Sequence, residues 1–303
     1  MGAGIARRLA NAGHELVLYD QDAQQAGVAS SPGLSWADDL ETLVASLGGG
    51  SRVLWLMLPA GQVTRAVMLR AAELLRPGDL IVDGGNSHFK ASLEAAALLS
   101  GQGIGFVDSG TSGGIRGEVE GYSLMVGGAD ESVARLMPVF DTLAARNDQV
   151  KAFVHCGAAG SGHFTKMIQN GIEYGMMQSL AEGFDLLQRA HLAEPDFDLD
   201  LAAIAQAWRK GSVVQSWLLD LLAEALAADS SLASYLGSVP DSGTGRWTIE
   251  TAVATATPAH VLTTALMQRF ASRRDDQFAN QVLSALRAGF GGHTEKQSYQ
   301  PGD

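Results

Sequence analysis

Apolar residues recur at helical spacing through the stretch Gly160 to Gly183, GSGHFTKMIQNGIEYGMMQSLAEG. Phe164, Met167, Ile168, Ile172, Met176 and Leu180 carry the pattern, and the two glycines flanking Ser161 mark its start. The spacing predicts one long helix. With about 100° between residues, His163, Lys166, Asn170, Glu173, Tyr174 and Met177 share an arc of roughly 100°, while Phe164, Ile168 and Ile172 lie opposite. A hydrophobic helix thus carries a polar stripe with an amine, an amide and a carboxyl group, and Lys166 and Glu173 stand two turns apart. Such a stripe is either a solvated surface, where each ion pair contributes a few tenths of a kcal/mol, or the wall of a site. The glycine-rich turns before it favour the wall.

Ahead of this helix, short apolar runs alternate with helical patterns. Glu15 to Tyr19, Arg52 to Leu58, Leu80 to Val82, Gly105 to Val107, Leu124 to Val126 and Ala152 to Val154 read as strands. Val63 to Leu75 and Ser92 to Ser100 read as helices between them. That alternation predicts an α/β fold, a Rossmann-like doubly wound parallel sheet over residues 1–159. Turns at Pro59-Ala60-Gly61, at Asp83 to Ser87 and at Asp108 to Gly114 fall at the C-terminal ends of strands, where open α/β sheets bind ligands. From residue 160 to 303 helical patterns take over (Leu199 to Lys210, Val213 to Ala228, Ile249 to Ala256, Val261 to Ser272, Phe278 to Phe290), with a polar loop at Asp241 to Arg246. This half is expected to be all-helical.

The chain opens MGAGIARRLANAGHELVLYD, a helix from Gly2 to Gly13 and then a strand closing on Asp20. In a dinucleotide-binding unit this is the first helix, the second strand and the acidic residue that accepts from the ribose hydroxyls. Gly2 takes the place of the third glycine of G-x-G-x-x-G; the first strand and the earlier glycines are missing, so a start shortened by roughly ten residues is expected. Asp20-Gln21-Asp22, with no arginine following, suits the free 2′-hydroxyl of NAD better than the 2′-phosphate of NADP.

Composition narrows the picture further. The 303 residues include 46% hydrophobic positions and 36 glycines, which excludes a disordered chain. A formal charge of −12 argues against nucleic-acid and anionic-membrane partners. Cys156 is the only cysteine, and no apolar run approaches a membrane span, so a cytoplasmic protein is expected, with no ligand cluster to suggest a metal. An anionic substrate would have to be held by local cations; Arg269, Arg273, Arg274 and Arg287 are the candidates.

DGGNS at Asp83, GTSGG at Gly110, GYSLMVGG at Gly121, GHFTKMIQNGIEYGMMQ at Gly162, GSVVQSWLLDL at Gly211, GRWT at Gly245 and RAGFGGH ending at His293 together resemble the 6-phosphogluconate dehydrogenases, in the short bacterial form. The resemblance implies oxidative decarboxylation of a phosphorylated sugar acid, with Lys166 as base and Glu173 as acid. It implies substrate contacts from Asn86, Ser112, Gly113, Gly114, Gln169, Asn170 and Tyr174, and a phosphate end held by Arg269, Arg287 and His293. It also implies NAD (or NADP) at Gly2, Asp20, Gln21, Asn86 and Leu58-Pro59-Ala60, and a homo-oligomer, dimer or tetramer. Two residues depart from the family pattern: Gln169 stands where histidine is usual, and Ser242 where long members have lysine. Two alternatives stay open, a β-hydroxyacid dehydrogenase for a small unphosphorylated 3-hydroxy acid and a catalytically inactive relative.

Overall fold

The computed structural model describes residues 1–147, 149–275 and 278–291. They divide into two compact units, one of residues 1–179 and 243–262, the other drawn from 180–242 and 263–303.

In the first unit, helix α1 (Gly2–Asn11) leads to β1 (Leu16–Leu18), which pairs in parallel with β2 (Leu34–Trp36). After α2 (Leu40–Ser46), capped where the Asp39 carboxylate takes the Thr42 amide at 2.6 Å, a five-stranded sheet follows the chain in order. Its strands are β3 (Val53–Leu56), β4 (Leu80–Asp83), β5 (Gly105–Ser112), β6 (Ser123–Gly128) and β7 (Phe153–Gly157). Helices α3 (Gln62–Leu74), α4 (Phe89–Ser100), α5 (Gly117–Glu120) and α6 (Asp130–Leu143) lie between them in sequence.

Because successive strand residues face opposite sides, Leu80 and Val82 join Val107 and Val126 in a cluster under α1 and α6, with Ile5, Leu9, Leu136 and Phe140. Ile81 and Phe106 point the other way, to Leu43, Met68, Ala71 and Leu99 of α2, α3 and α4. Helices cover both faces, which is why these strands are apolar without alternation. Among the described residues β1 pairs only with β2, and β3 pairs only with β4 in its sheet. The two pieces still share both clusters, Leu16 with Trp55 and Met57 on one side and Val17 with Leu54 and Leu56 on the other.

The Rossmann-like expectation holds, with one departure. β5 to β6 is antiparallel, and the stretch expected to turn from Asp108 onward continues as strand to Ser112, with Asp108 opposite Gly127 and Ser112 opposite Ser123. Asp, Ser and Gly are poor strand formers, so pairing with β6 overrides their local preference, and the turn shrinks to Gly113-Gly114. Further elements depart from the reading of the chain. α10 (Thr244–Ala254) begins inside the stretch expected to be a polar loop, and α2, α6 and β2 had not been expected.

α7 (Ser161–Gln188) is the long helix expected from the pattern, and the chain passes from one unit to the other within it. Its first turn is capped from outside. Gly160 has no side chain to offer, and the Asp108 carboxylate, fully buried on β5, accepts the amides of Gly160 at 2.6 Å and His163 at 2.7 Å. The helix end approaches so closely that a Cβ on Gly127 would meet the Gly162 nitrogen and the Ala158 oxygen at 2.8 Å each. The second unit is helical, with α8 (Leu201–Trp208) and α9 (Trp217–Ala228) packing on Phe184 through Ala205, Leu219, Ala223 and Leu226. α11 (His260–Ala271) and α12 (Phe278–Gly291) complete the described chain.

Asp108→Asn keeps the shape of the cap but turns an amino group on one of the two amides. Hydrogen bonds to a charged group are worth about 1.5–3 kcal/mol, and a loss of that size is expected in urea denaturation followed by tryptophan fluorescence. An unchanged midpoint would show that the cap is dispensable.

Candidate active site

The capped end of α7 fixes where Lys166 stands, one turn further along. Its stem crosses β5 at Gly110, where any Cβ would overlap the lysine's own. Lys166 is only 7% exposed, and its Nζ donates to Gln169 Oε1 at 2.9 Å and lies 3.6 Å from Glu173 Oε1. Gln169 Nε2 donates to Ser112 Oγ at 3.3 Å, and Asn170 Nδ2 donates to Glu173 Oε2 at 3.0 Å. The polar stripe is thus the buried side of the helix: His163, Lys166 and Tyr174 are buried, while Ile172 on the apolar side is 49% exposed. The solvated-surface reading fails here.

Burial pushes the Lys166 amine below its ordinary value, because a charged ammonium loses hydration there, and the nearby Glu173 carboxylate pulls in the opposite direction. The result is an amine that gives up its proton more readily than a surface lysine, beside a half-exposed carboxyl. That pairing suits removal of a proton from a hydroxyl and return of one to carbon.

Two loops reach the same place. Gly113 and Gly114 have φ of 140° and 52°, a left-handed turn that side chains resist, and their amides find no acceptor among the described residues. With Ser112 Oγ they offer three donors suited to a carboxylate. Asn86 stands exposed on the loop between β4 and α4, tied to α7 through Phe89 against Phe164 (ring centroids 5.2 Å apart) and Ser92 Oγ against His163 Nδ1 at 2.7 Å. Tyr174 is buried, and a Cβ on Gly245 of α10 would meet its ring at 2.6 Å. Asn170 Oδ1 is buried with no partner among the described residues, an acceptor left over for a ligand hydroxyl.

The residues expected on the nucleotide side lie at the ends of these elements. Gly2 opens α1 where a Cβ would meet Met57, just past β3, at 3.3 Å, Asp20 and Gln21 are exposed past the end of β1, and Leu58-Pro59-Ala60 follow β3. A Cβ on Gly85 would sit 2.8 Å from the Leu58 carbonyl, so the β3 and β4 loops form a shallow backbone cradle. Arg269 lies on α11, where Nη1 donates to the Pro240 carbonyl at 2.9 Å, and Arg287 is exposed on α12, both in the second unit. His293 lies outside the described residues. The reading of the chain did not single out Asp108 as the cap of α7 or Ser92 as the partner of His163. No spacing in the sequence announces either, since each acts across more than fifty residues.

Residues 1–157 match the family model for the NAD binding domain of 6-phosphogluconate dehydrogenase, and residues 162–299 match that for its C-terminal domain. The chain is 41% identical over 297 residues to an NAD(+)-dependent, decarboxylating 6-phosphogluconate dehydrogenase of Haloferax volcanii, covering 97% of this chain and 94% of the other. This chain belongs to the 6-phosphogluconate dehydrogenase family. A putative 6-phosphogluconate dehydrogenase of Bacillus subtilis is 39% identical, covering 98% and 97%. The 6-phosphogluconate dehydrogenase of Plasmodium falciparum has the same fold, with a TM-score of 0.82 at 22% identity over 100% of this chain and 65% of that one. A Mycobacterium tuberculosis 3-hydroxyisobutyrate dehydrogenase also shares the fold, at 0.70 and 23% identity over 95% of this chain and 96% of that one. Among the described residues of this family member no three His, Cys, Asp or Glu side chains gather as a metal cage, and no helix is long and apolar enough to cross a membrane.

Glu173→Gln removes the charge that favours the ammonium form of Lys166, so the lysine should titrate at still lower pH. Mass-spectrometric measurement of Lys166 modification by an amine-reactive reagent across pH reads this directly. A midpoint that stays put or moves upward would mean that the Glu173 carboxylate does not favour the ammonium form.

Proposed function

We infer that the chain oxidises and decarboxylates 6-phosphogluconate to ribulose 5-phosphate and CO2, with NAD as the preferred cofactor and NADP as a poorer substitute. The observation that carries this reading is the buried Lys166 amine 3.6 Å from Glu173, wired through Gln169 to Ser112 beside the left-handed glycine turn. Neutral Lys166 takes the proton of the substrate's third-carbon hydroxyl as a hydride leaves that carbon. Bound NAD supplies the hydride acceptor. The new carbonyl lies β to the carboxylate, so the bond to CO2 breaks with its electrons drawn into that carbonyl, and the Lys166 ammonium stabilises the oxygen that receives them. Glu173 then gives a proton to the enediol carbon.

In this assignment Ser112 and the amides of Gly113 and Gly114 hold the substrate carboxylate, while Asn86, Asn170 and Tyr174 hold its hydroxyls. The exposed carboxylate of Asp20 suits a ribose diol and repels a 2′-phosphate. We read the nucleotide half as completed by a further strand between β1 and β3, supported by the edges that β1 and β3 leave unpaired among the described residues and by the two clusters they share. A cytoplasmic homo-oligomer fits the reading, supported by the exposed apolar residues Ile172 and Met176 on α7.

Reduced-nicotinamide absorbance with 6-phosphogluconate and NAD should show turnover, and Lys166→Ala should lower kcat by about 10²–10⁴-fold. Preference for 3-hydroxyisobutyrate over the phosphorylated sugar acid would overturn the assignment. Asp20→Ala should raise KM for NAD and lower it for NADP, measured with both cofactors; an unaltered ratio would remove Asp20 from the ribose site.

A further inference from the structure

The loop between β5 and β6 holds the glycine turn, yet little apolar packing secures it. Ile115 is 95% exposed and Val119 84% exposed, and α5 has only four residues, too few to be stable alone. Beneath the loop the Tyr122 ring packs against Gly113 and Gly117. Two consecutive arginines on α1 anchor it as well. Arg7 donates from Nε and Nη2 to both oxygens of Glu118, at 2.7 and 2.6 Å. Arg8 Nη1 donates to the carbonyls of Glu118 and Val119 at 3.2 and 3.1 Å, and its Nε to the Thr142 carbonyl at 2.8 Å. The first arginine grips a side chain, and the second closes off the backbone carbonyls at the end of α5.

We propose that Arg7 and Glu118 are positioning residues that clamp the Ser112–Gly121 loop to α1 and so hold the Gly113-Gly114 turn in its ligand-receiving shape. The role assigned to the turn rests on the function proposed above; the clamp itself does not. Exposed ion pairs are often worth little, because two long side chains must be immobilised in water. This pair differs in two respects: it is bidentate, a geometry that fixes orientation as well as distance, and its side chains are only 36% and 34% exposed. The other end of the same loop is Ser112, which accepts from Gln169, the acceptor of the Lys166 ammonium. A slack loop would therefore disturb both the carboxylate donors and the partner of the base. Since α1 is also the helix that begins at Gly2, the clamp sets the substrate turn against the nucleotide-side helix.

Three variants test this: Glu118→Gln, Arg7→Met, and the charge exchange Arg7→Glu with Glu118→Arg. Trypsin cleavage after Arg116, followed by mass spectrometry, reports loop opening without any ligand. Calorimetric titration with 6-phosphogluconate reports whether the turn still receives it, and the melting temperature reports folding. Each single variant is expected to be cleaved faster and to bind the sugar acid about two- to fivefold more weakly, the range of one good partly exposed pair. The exchanged pair should recover both. Folded single variants with unchanged cleavage and affinity would overturn the clamp, as would an exchanged pair that regains stability while affinity stays low. If the parent protein fails to bind the sugar acid while the single variants are still cleaved faster, the clamp stands and the functional reading falls.

Discussion

One buried carboxylate sets the geometry of the site. Asp108 sits on β5 with no exposure and accepts two amides at the start of α7, where the chain's own residue at that place, Gly160, has no side-chain acceptor. A helix end left uncapped in the interior would strand several amides, each costing as much as a lost hydrogen bond. The negative charge also lies at the positive end of a helix dipole. Because Asp108 belongs to the strand that ends at Ser112, one ion fixes the axis of α7 relative to the loop that follows β5. Lys166 and Ser112 are then a fixed distance apart, close enough for Gln169 to bridge them.

Closeness is possible only because side chains are absent where the helix meets the sheet. Gly110 lies beneath the Lys166 stem and Gly127 beneath the helix start, each at a spot where a methyl group would overlap its neighbour. The helix therefore lies unusually near β5 and β6, and the lysine amine is drawn below the surface instead of reaching past it to water. The same burial that lowers its proton affinity makes Glu173 necessary: an ammonium with no carboxylate nearby would be costly to keep in that place. Lowered proton affinity and structural cost are two consequences of one arrangement.

Much of this was legible in the chain. The long helix, the strand alternation, the pairing of Lys166 with Glu173 on one face and the glycine turns at strand ends all follow from local periodicity, which depends only on backbone geometry. Motif resemblance pointed to the family that the comparisons establish. What local pattern missed has a common cause. The polar stretch from Asp108 to Ser112 is strand because β6 pairs with it, and Asp241 to Arg246 gives way to helix at Thr244 against the expectation from composition.

The sequence by itself determined most of the elements and which residues share a helix face, because those relations span a few residues and obey fixed periods. Only the tertiary structure decided that the polar stripe of α7 faces inward and its apolar side outward, that Asp108 caps the helix, and that Ser112 meets Gln169. These are contacts between groups more than fifty positions apart, made when burial and pairing over the whole sheet outweigh the preference of any one segment.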